Sequence, residues 1–201
     1  MNFKKFKERV HDGFTLIEMV VVVAIISILV GTLVPAMYNY YTNSRLNSAN
    51  GEAKVLFNSM QTIMQEYEFS ERSAEESFFY GASKTGSLTI KGENGTITEA
   101  YVNGSSFPAD AALGADADPA PATLGGRLIR LYPDYGETAW AVYVENYTVR
   151  GTIVASKSTS EYIGAYPLRA SEKGDANVVG AMRVADVTTA DMAAYAARAW
   201  S

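Results

Sequence analysis

Glu18 is the one acid at the mouth of a run that is otherwise apolar, and from Met19 to Val34 sixteen residues follow without a charge. A carboxylate carried into hydrocarbon costs about 2.5–3.5 kcal/mol on insertion scales, so it needs a cation or hydrogen bonds to stay. Little else in the chain is equipped for chemistry. There is no cysteine, which removes disulfide frameworks, thiolate catalysis and cysteine-ligated zinc. The only histidine is His11, in a basic leader, so serine–histidine hydrolysis and histidine-held metal have almost nothing to work with. Asp110, Asp116 and Asp118 sit close together but lack the spacing of a calcium-liganding loop and read as a solvated acidic segment. These absences argue against an enzyme and imply no cofactor and no metal.

The elements around Glu18 are legible. Residues 1–13 hold Lys4, Lys5, Lys7 and Arg9 against Glu8 and Asp12, a formal +2, so the rest of the chain carries −7 of the total −5. That acidic remainder offers no clear nucleic-acid site. Residues 14–38 would form a helix of about 37 Å, enough to cross a hydrocarbon core of about 30 Å. Tyr38, Tyr40 and Tyr41 follow where an aromatic belt belongs. A removable secretory signal would end in a small-x-small site; Val34-Pro35-Ala36 is a poor one. A plain anchor fits the length but leaves Glu18 unexplained. Pro35 favours a kink or local melting over a stop, because helical spacing resumes after it. Ser27 and Gly31 make a small-xxx-small pair, a weak signal for close helix contact.

Gly13-Phe14-Thr15-Leu16-Ile17-Glu18, after a short basic leader and before the apolar run with Pro35 at its far end, resembles the start of a type IV pilin or pseudopilin precursor. The resemblance covers about residues 4–41. It implies that a prepilin peptidase cuts between Gly13 and Phe14 and methylates the new amine. It also implies that an assembly ATPase and membrane platform then extrude the subunits into a helical homopolymer. Glu18 would pair with the Phe14 amine of a neighbouring copy. A buried ion pair need not add stability, but a lone buried charge is strongly destabilising, so the pair would set axial register. Pro35 stands where the family often has a helix-kinking proline. Many Gram-negative pilins close a final loop with a disulfide that this chain cannot form, which leans toward pseudopilins and Gram-positive pilins.

Past the span, Leu46, Ala49, Ala53, Leu56, Met60, Ile63 and Tyr67 recur every three or four residues, with Phe57 and Met64 widening the stripe. Residues 42–69 should therefore continue the helix and cover a core, with Arg45, Asn47, Glu52, Lys54, Asn58 and Gln61 on the other face. Residues 70–86 read as a connector. Period two then takes over. Ser87–Lys91 and Thr96–Val102 flank Gly92-Glu93-Asn94-Gly95, a hairpin signal. Residues 104–126 read as an exposed loop. Strands are expected at Arg127–Tyr132, Thr138–Glu145 and Tyr147–Ala155, and possible at Val178–Val184. Thr188 or Thr189 should cap a last helix, with Asp191 completing a box from Thr188. Asn94, Asn103 and Asn146 each begin an Asn-x-Ser/Thr triplet too common to carry weight.

The fold class expected is α+β: a long amino-terminal transmembrane and amphipathic helix packed on an antiparallel head of four or five strands. Its segments are a leader (1–13), a span (14–41), an amphipathic continuation (42–69) and a globular head (70–201). The precursor is expected in the cytoplasmic membrane and bilayer, and the product in an extracellular pilus or an envelope-spanning pseudopilus. Secretion, DNA uptake or a tip adhesin remain alternatives; thirteen tyrosines and the 104–126 loop could furnish a contact surface.

Overall fold

The computed structural model describes residues 14–74, 86–107, 123–175, 180–181 and 183–201, with side chains of the first helix to Phe69. Helix α1 runs from Leu16 to Ala74. Strands β1 (Ser87–Glu93), β2 (Thr96–Val102) and β3 (Ser105–Phe107) follow, then helix α2 (Leu124–Leu131) and a 3-10 turn at Pro133–Gly136. Strands β4 (Ala139–Glu145), β5 (Thr148–Ala155) and β6 (Gly164–Tyr166), a 3-10 turn at Val184–Asp186 and helix α3 (Thr189–Ala199) complete the order. The architecture is α+β. The strands form a six-stranded sheet, order β3-β2-β1-β4-β5-β6, with every pairing antiparallel. The chain divides into two units, one ending at Tyr41 and one running from Thr42 to Ser201, and α1 contributes to both.

Three hairpins build most of the sheet, and each turns on a pair of residues at positive φ: Asn94–Gly95, Asn103–Gly104 and Asn146–Tyr147. Such two-residue turns match the twist of the strands they join, and asparagine tolerates the left-handed region better than most residues. The three Asn-x-Ser/Thr triplets are therefore turn chemistry, each ending in the residue that opens a strand. Tyr147 is the costly member, at φ 59°. It is held there because its side chain is buried in the core and its carbonyl accepts from Gln61.

The helical stripe meets one sheet face. Ala53, Leu56, Met60, Ile63 and Tyr67 pack with Leu88, Ile90, Trp140, Val142 and Val144, and Leu124 and Leu128 of α2 close the same core. Polar side chains fasten the helix as well. Asn50 Oδ1 accepts from the backbone N–H groups of Ala165 (2.9 Å) and Ala170 (3.2 Å), and its Nδ2 donates to the Ala170 carbonyl (3.0 Å). Thr152 donates to the Ala53 carbonyl at 2.7 Å. Gln61, expected on the solvent face, instead accepts from Val149 N at 2.8 Å beside the β4–β5 turn. Gly164 lies so close that a Cβ there would stand 1.9 Å from the Ala49 carbonyl carbon.

The opposite sheet face is covered too. Ala139, Ala141, Tyr143, Ile153 and Ala155 pack against Met192, Tyr195 and Ala196 of α3 and against Val184 and Val187. β4 is thus buried on both faces except at its last residue, which is why its alternating positions are all apolar. Gly151, within β5, leaves the space that the Tyr195 ring fills; a Cβ there would meet that ring at 2.6 Å. α3 starts with the box the sequence implied: Thr188 Oγ1 accepts from Asp191 N at 3.2 Å, and Asp191 Oδ2 accepts from Thr188 N at 2.8 Å.

Several expectations need correction. Arg127–Tyr132 is not a strand but mostly helix α2, capped by Thr123, which accepts from Gly126 N at 3.2 Å. Leu124 and Leu128 lie one turn apart and both enter the core, while Pro133 ends the helix. The 104–126 loop is shortened at both ends by β3 and α2; residues 108–122 lie outside the described residues, as do 75–85 of the connector. At Val178–Val184 the described residues hold no strand, and Val184 opens a 3-10 turn; 178–179 and 182 lie outside them.

Candidate assembly site at the start of the span

α1 begins with a reciprocal cap that the sequence reading passed over. Thr15 stands at the N-cap, and Glu18 is the third helical residue. Glu18 Oε2 accepts from Thr15 N (2.8 Å) and from Thr15 Oγ1 (2.7 Å), while Thr15 Oγ1 accepts from Glu18 N (3.3 Å). This is a capping box, which satisfies backbone donors that a helix start otherwise leaves orphaned. The signal was present as Thr-x-x-Glu, the same spacing recognised at Thr188 and Asp191.

The box folds the Glu18 carboxylate back toward the amino-terminal end of the helix. Glu18 shares a shallow groove of ≈ 380 Å³ with Phe14, Ile17, Val21 and Val22. Phe14 is 82% exposed beside it. The carboxylate is thus placed where an amine arriving at that end of a helix could reach it, and the other residues of the groove are apolar.

The rest of the span is built for lipid or for helix packing. α1 is long and apolar enough to cross a membrane, and none of its most apolar 18-residue window is buried. Its few polar side chains satisfy themselves on the helix: Ser27 donates to the Val23 carbonyl at 2.7 Å, and Thr32 to the Leu29 carbonyl at 3.0 Å. Of the kink or local melting expected at Pro35, the melting does not occur, since α1 runs through it. A proline removes one ladder bond, but melted backbone in a lipid setting would leave several groups without partners. Helix on both sides also spares any new nucleation. Gly13 and the leader lie outside the described residues, so of the candidate site residues Phe14 and Glu18 are brought together and Pro35 stands apart, further along the helix.

The described part of the head is organised around its packed cores. Among the described residues, no three His, Asp or Glu side chains are placed to hold a metal. Its buried tyrosines are structural: burial pushes Tyr67 and Tyr135 up to about 12, and Tyr132 and Tyr195 are raised by the same cause.

A basic-flanked leader, an exposed apolar helix with one carboxylate at its start, and a separate α+β head define a class: single-span proteins that present a globular domain. Residues 9–34 match the prokaryotic N-terminal methylation motif, the class III signal peptide of type IV pilins and pseudopilins. The leader and span are thus those of a type IV pilin-like or pseudopilin protein. No curated protein and no solved structure matches the chain.

Proposed function

We propose that this chain is a structural subunit of a type IV pilus, cut between Gly13 and Phe14, methylated on the Phe14 amine and polymerised through α1. The observation that carries this reading is the methylation motif at residues 9–34, joined to a span whose apolar side chains are exposed. Cleavage would place a positive amine on Phe14, next to Thr15. Glu18 would then exchange its capping hydrogen bonds for the amine of an adjacent copy, which answers the cost of keeping a carboxylate in hydrocarbon. The peptidase, the assembly ATPase and its platform are the partners this life cycle requires, and the bilayer holds the precursor until extrusion.

Mass spectrometry of the mature amino terminus tests the reading directly. The expected species begins with methylated phenylalanine at position 14. Native protein that still begins at Met1, or is trimmed elsewhere, overturns it. A pseudopilin of a secretion or DNA-uptake system shares every step to this point, and the lack of cysteine leans toward it. Imaging labelled protein on whole cells separates the two: long surface fibres favour the pilus, and their absence favours the short pseudopilus.

A further inference from the structure

Asn94-Gly95 and Asn103-Gly104 turn two consecutive hairpins on nearly the same backbone: φ is 52° and 79° in the first, 50° and 78° in the second. Asparagine followed by glycine is a reactive pair. The side-chain amide carbon lies a few bonds from the next backbone nitrogen, and glycine puts no side chain in the way. With sequence and backbone matched, only the surroundings can set the two pairs apart. They differ at both atoms the reaction joins.

The attacking atom is the glycine nitrogen, which must first give up its proton. Gly95 N is tied down: it donates to the Tyr135 carbonyl at 3.1 Å. Its turn is also backed by Gly136, whose Cα would lie 3.5 Å from a Cβ on Gly95. Among the described residues the Gly104 N–H has no hydrogen-bond partner, and a Cβ on Gly104 would meet nothing within 4 Å. Asn103, Gly104, Ser105 and Ser106 are all exposed, so water and hydroxide reach this nitrogen.

The atom attacked is the asparagine Cγ. Asn103 clasps Ser87 at the start of β1: its backbone N donates to the Ser87 carbonyl at 2.8 Å, and its Oδ1 accepts from Ser87 N at 2.9 Å. A donor on the amide oxygen draws charge from Cγ and stabilises the negative oxygen that forms as a nitrogen adds to it. Among the described residues no group bonds the Asn94 side chain. Asn103 therefore has both a free nucleophile and a polarised carbonyl, and Asn94 has neither.

We propose that Asn103 is a site of spontaneous deamidation in the folded protein, and that Asn94 is spared by its surroundings. Gly104 N loses its proton to hydroxide and bonds to Asn103 Cγ. The bond from Cγ to the side-chain nitrogen then breaks, and that nitrogen takes a proton from water and leaves as ammonia, which regenerates hydroxide. Water opens the cyclic imide at the side-chain carbonyl to give aspartate, or at the main-chain carbonyl to give isoaspartate. Either product adds a negative charge. Isoaspartate also lengthens the main chain inside the turn, which breaks the register of Val102 with Ser105, Tyr101 with Ser106 and Ala100 with Phe107. β3 is a short strand at the sheet edge, so its release leaves the packed cores in place and gives β2 an open edge. The change is irreversible and accumulates with the age of the molecule.

Full-length protein in detergent, held in warm, mildly alkaline buffer and digested at intervals, supplies the test. Mass spectrometry follows the conversion of amide to acid in the peptides that carry Asn103 and Asn94, and an isoaspartyl methyltransferase labels the isoaspartate. Asn103 should convert several-fold faster than Asn94. Equal rates, or a faster Asn94, would overturn the proposal. In denaturant the difference should vanish, because both pairs then lie in an open chain; a difference that survives unfolding removes the role given to the fold. Ser87→Pro takes away the N–H that bonds Asn103 Oδ1, and should slow conversion at Asn103 several-fold with Asn94 unchanged. An unaltered rate in that variant, with native far-ultraviolet dichroism, counts against the proposal. Should Ser87→Pro fail to fold, the comparison of native with denatured wild-type protein decides.

Discussion

At the scale of the residue, Glu18 has one use in the structure and, on the proposed function, a second that would compete for the same oxygens. In the single chain it caps its own helix through Thr15, with Oε2 accepting both bonds. In a filament it would answer a neighbour's amine. The two uses separate by mutation. Glu18→Ala removes both, and should leave the precursor cleaved but unassembled, read as a processed band on a gel with no sheared filaments. Thr15→Ala removes only the cap, at a cost of about 0.5–2 kcal/mol to the helix start, and leaves the carboxylate free to pair. It should therefore retain most of the filament yield. Equal losses in the two variants would mean that Glu18 matters only as a cap.

At the scale of the element, α1 is held to the sheet by a polar clamp as well as by its apolar stripe. Asn50 serves three backbone groups of β6 and the loop after it, all buried. Asn50→Leu keeps much of the volume but leaves those groups unpaired, and each unsatisfied buried group costs about 1–3 kcal/mol. With three such groups, chemical denaturation should show a loss of at least about 3 kcal/mol on that basis. Gly164→Ala should be worse placed still, since its methyl would meet the Ala49 backbone rather than a side chain that can swing away. A thermal midpoint unchanged by both variants would refute the clamp. The sequence showed the stripe from Leu46 to Tyr67 because helical period is a repeating signal. It hid Asn50, since one polar residue beside an apolar stripe looks like its edge. It hid α2 for a different reason: Gly125 and Gly126 weaken the helical signal of its first turn, and Arg127–Tyr132 can be read with period two as easily as with period four. The second covered face was written in β4, where Ala139, Ala141 and Tyr143 are as apolar as Trp140, Val142 and Val144. Its partner α3, though expected from Thr188 and Asp191, lies dozens of residues away, and no local pattern assigns it to that face. At the candidate site, the span and Glu18 were legible from composition, whereas the cap at Thr15 was overshadowed by the charge that it holds.

At the scale of the whole molecule, the head packs several of its tyrosines as neutral core residues, and this sets how it should fail in alkali. Tyr67 and Tyr135 are pushed up from 10.0 to about 12 chiefly by burial, and Tyr132 and Tyr195 shift the same way. Raised values mean that the folded state holds these protons more tightly than the unfolded chain does. Their contribution is fully present below the unfolded value near pH 10. It is lost as pH climbs through about 12, where the folded groups themselves would ionise. Full-length protein in detergent should therefore keep its far-ultraviolet dichroism to about pH 10 and then unfold cooperatively. The core tyrosines Tyr67, Tyr132, Tyr135 and Tyr195 should ionise only with that transition. Tyrosinate absorbance that rises smoothly to completion while the dichroism stays constant would show that the core rings are open to solvent, and the packing of both sheet faces described above would be wrong.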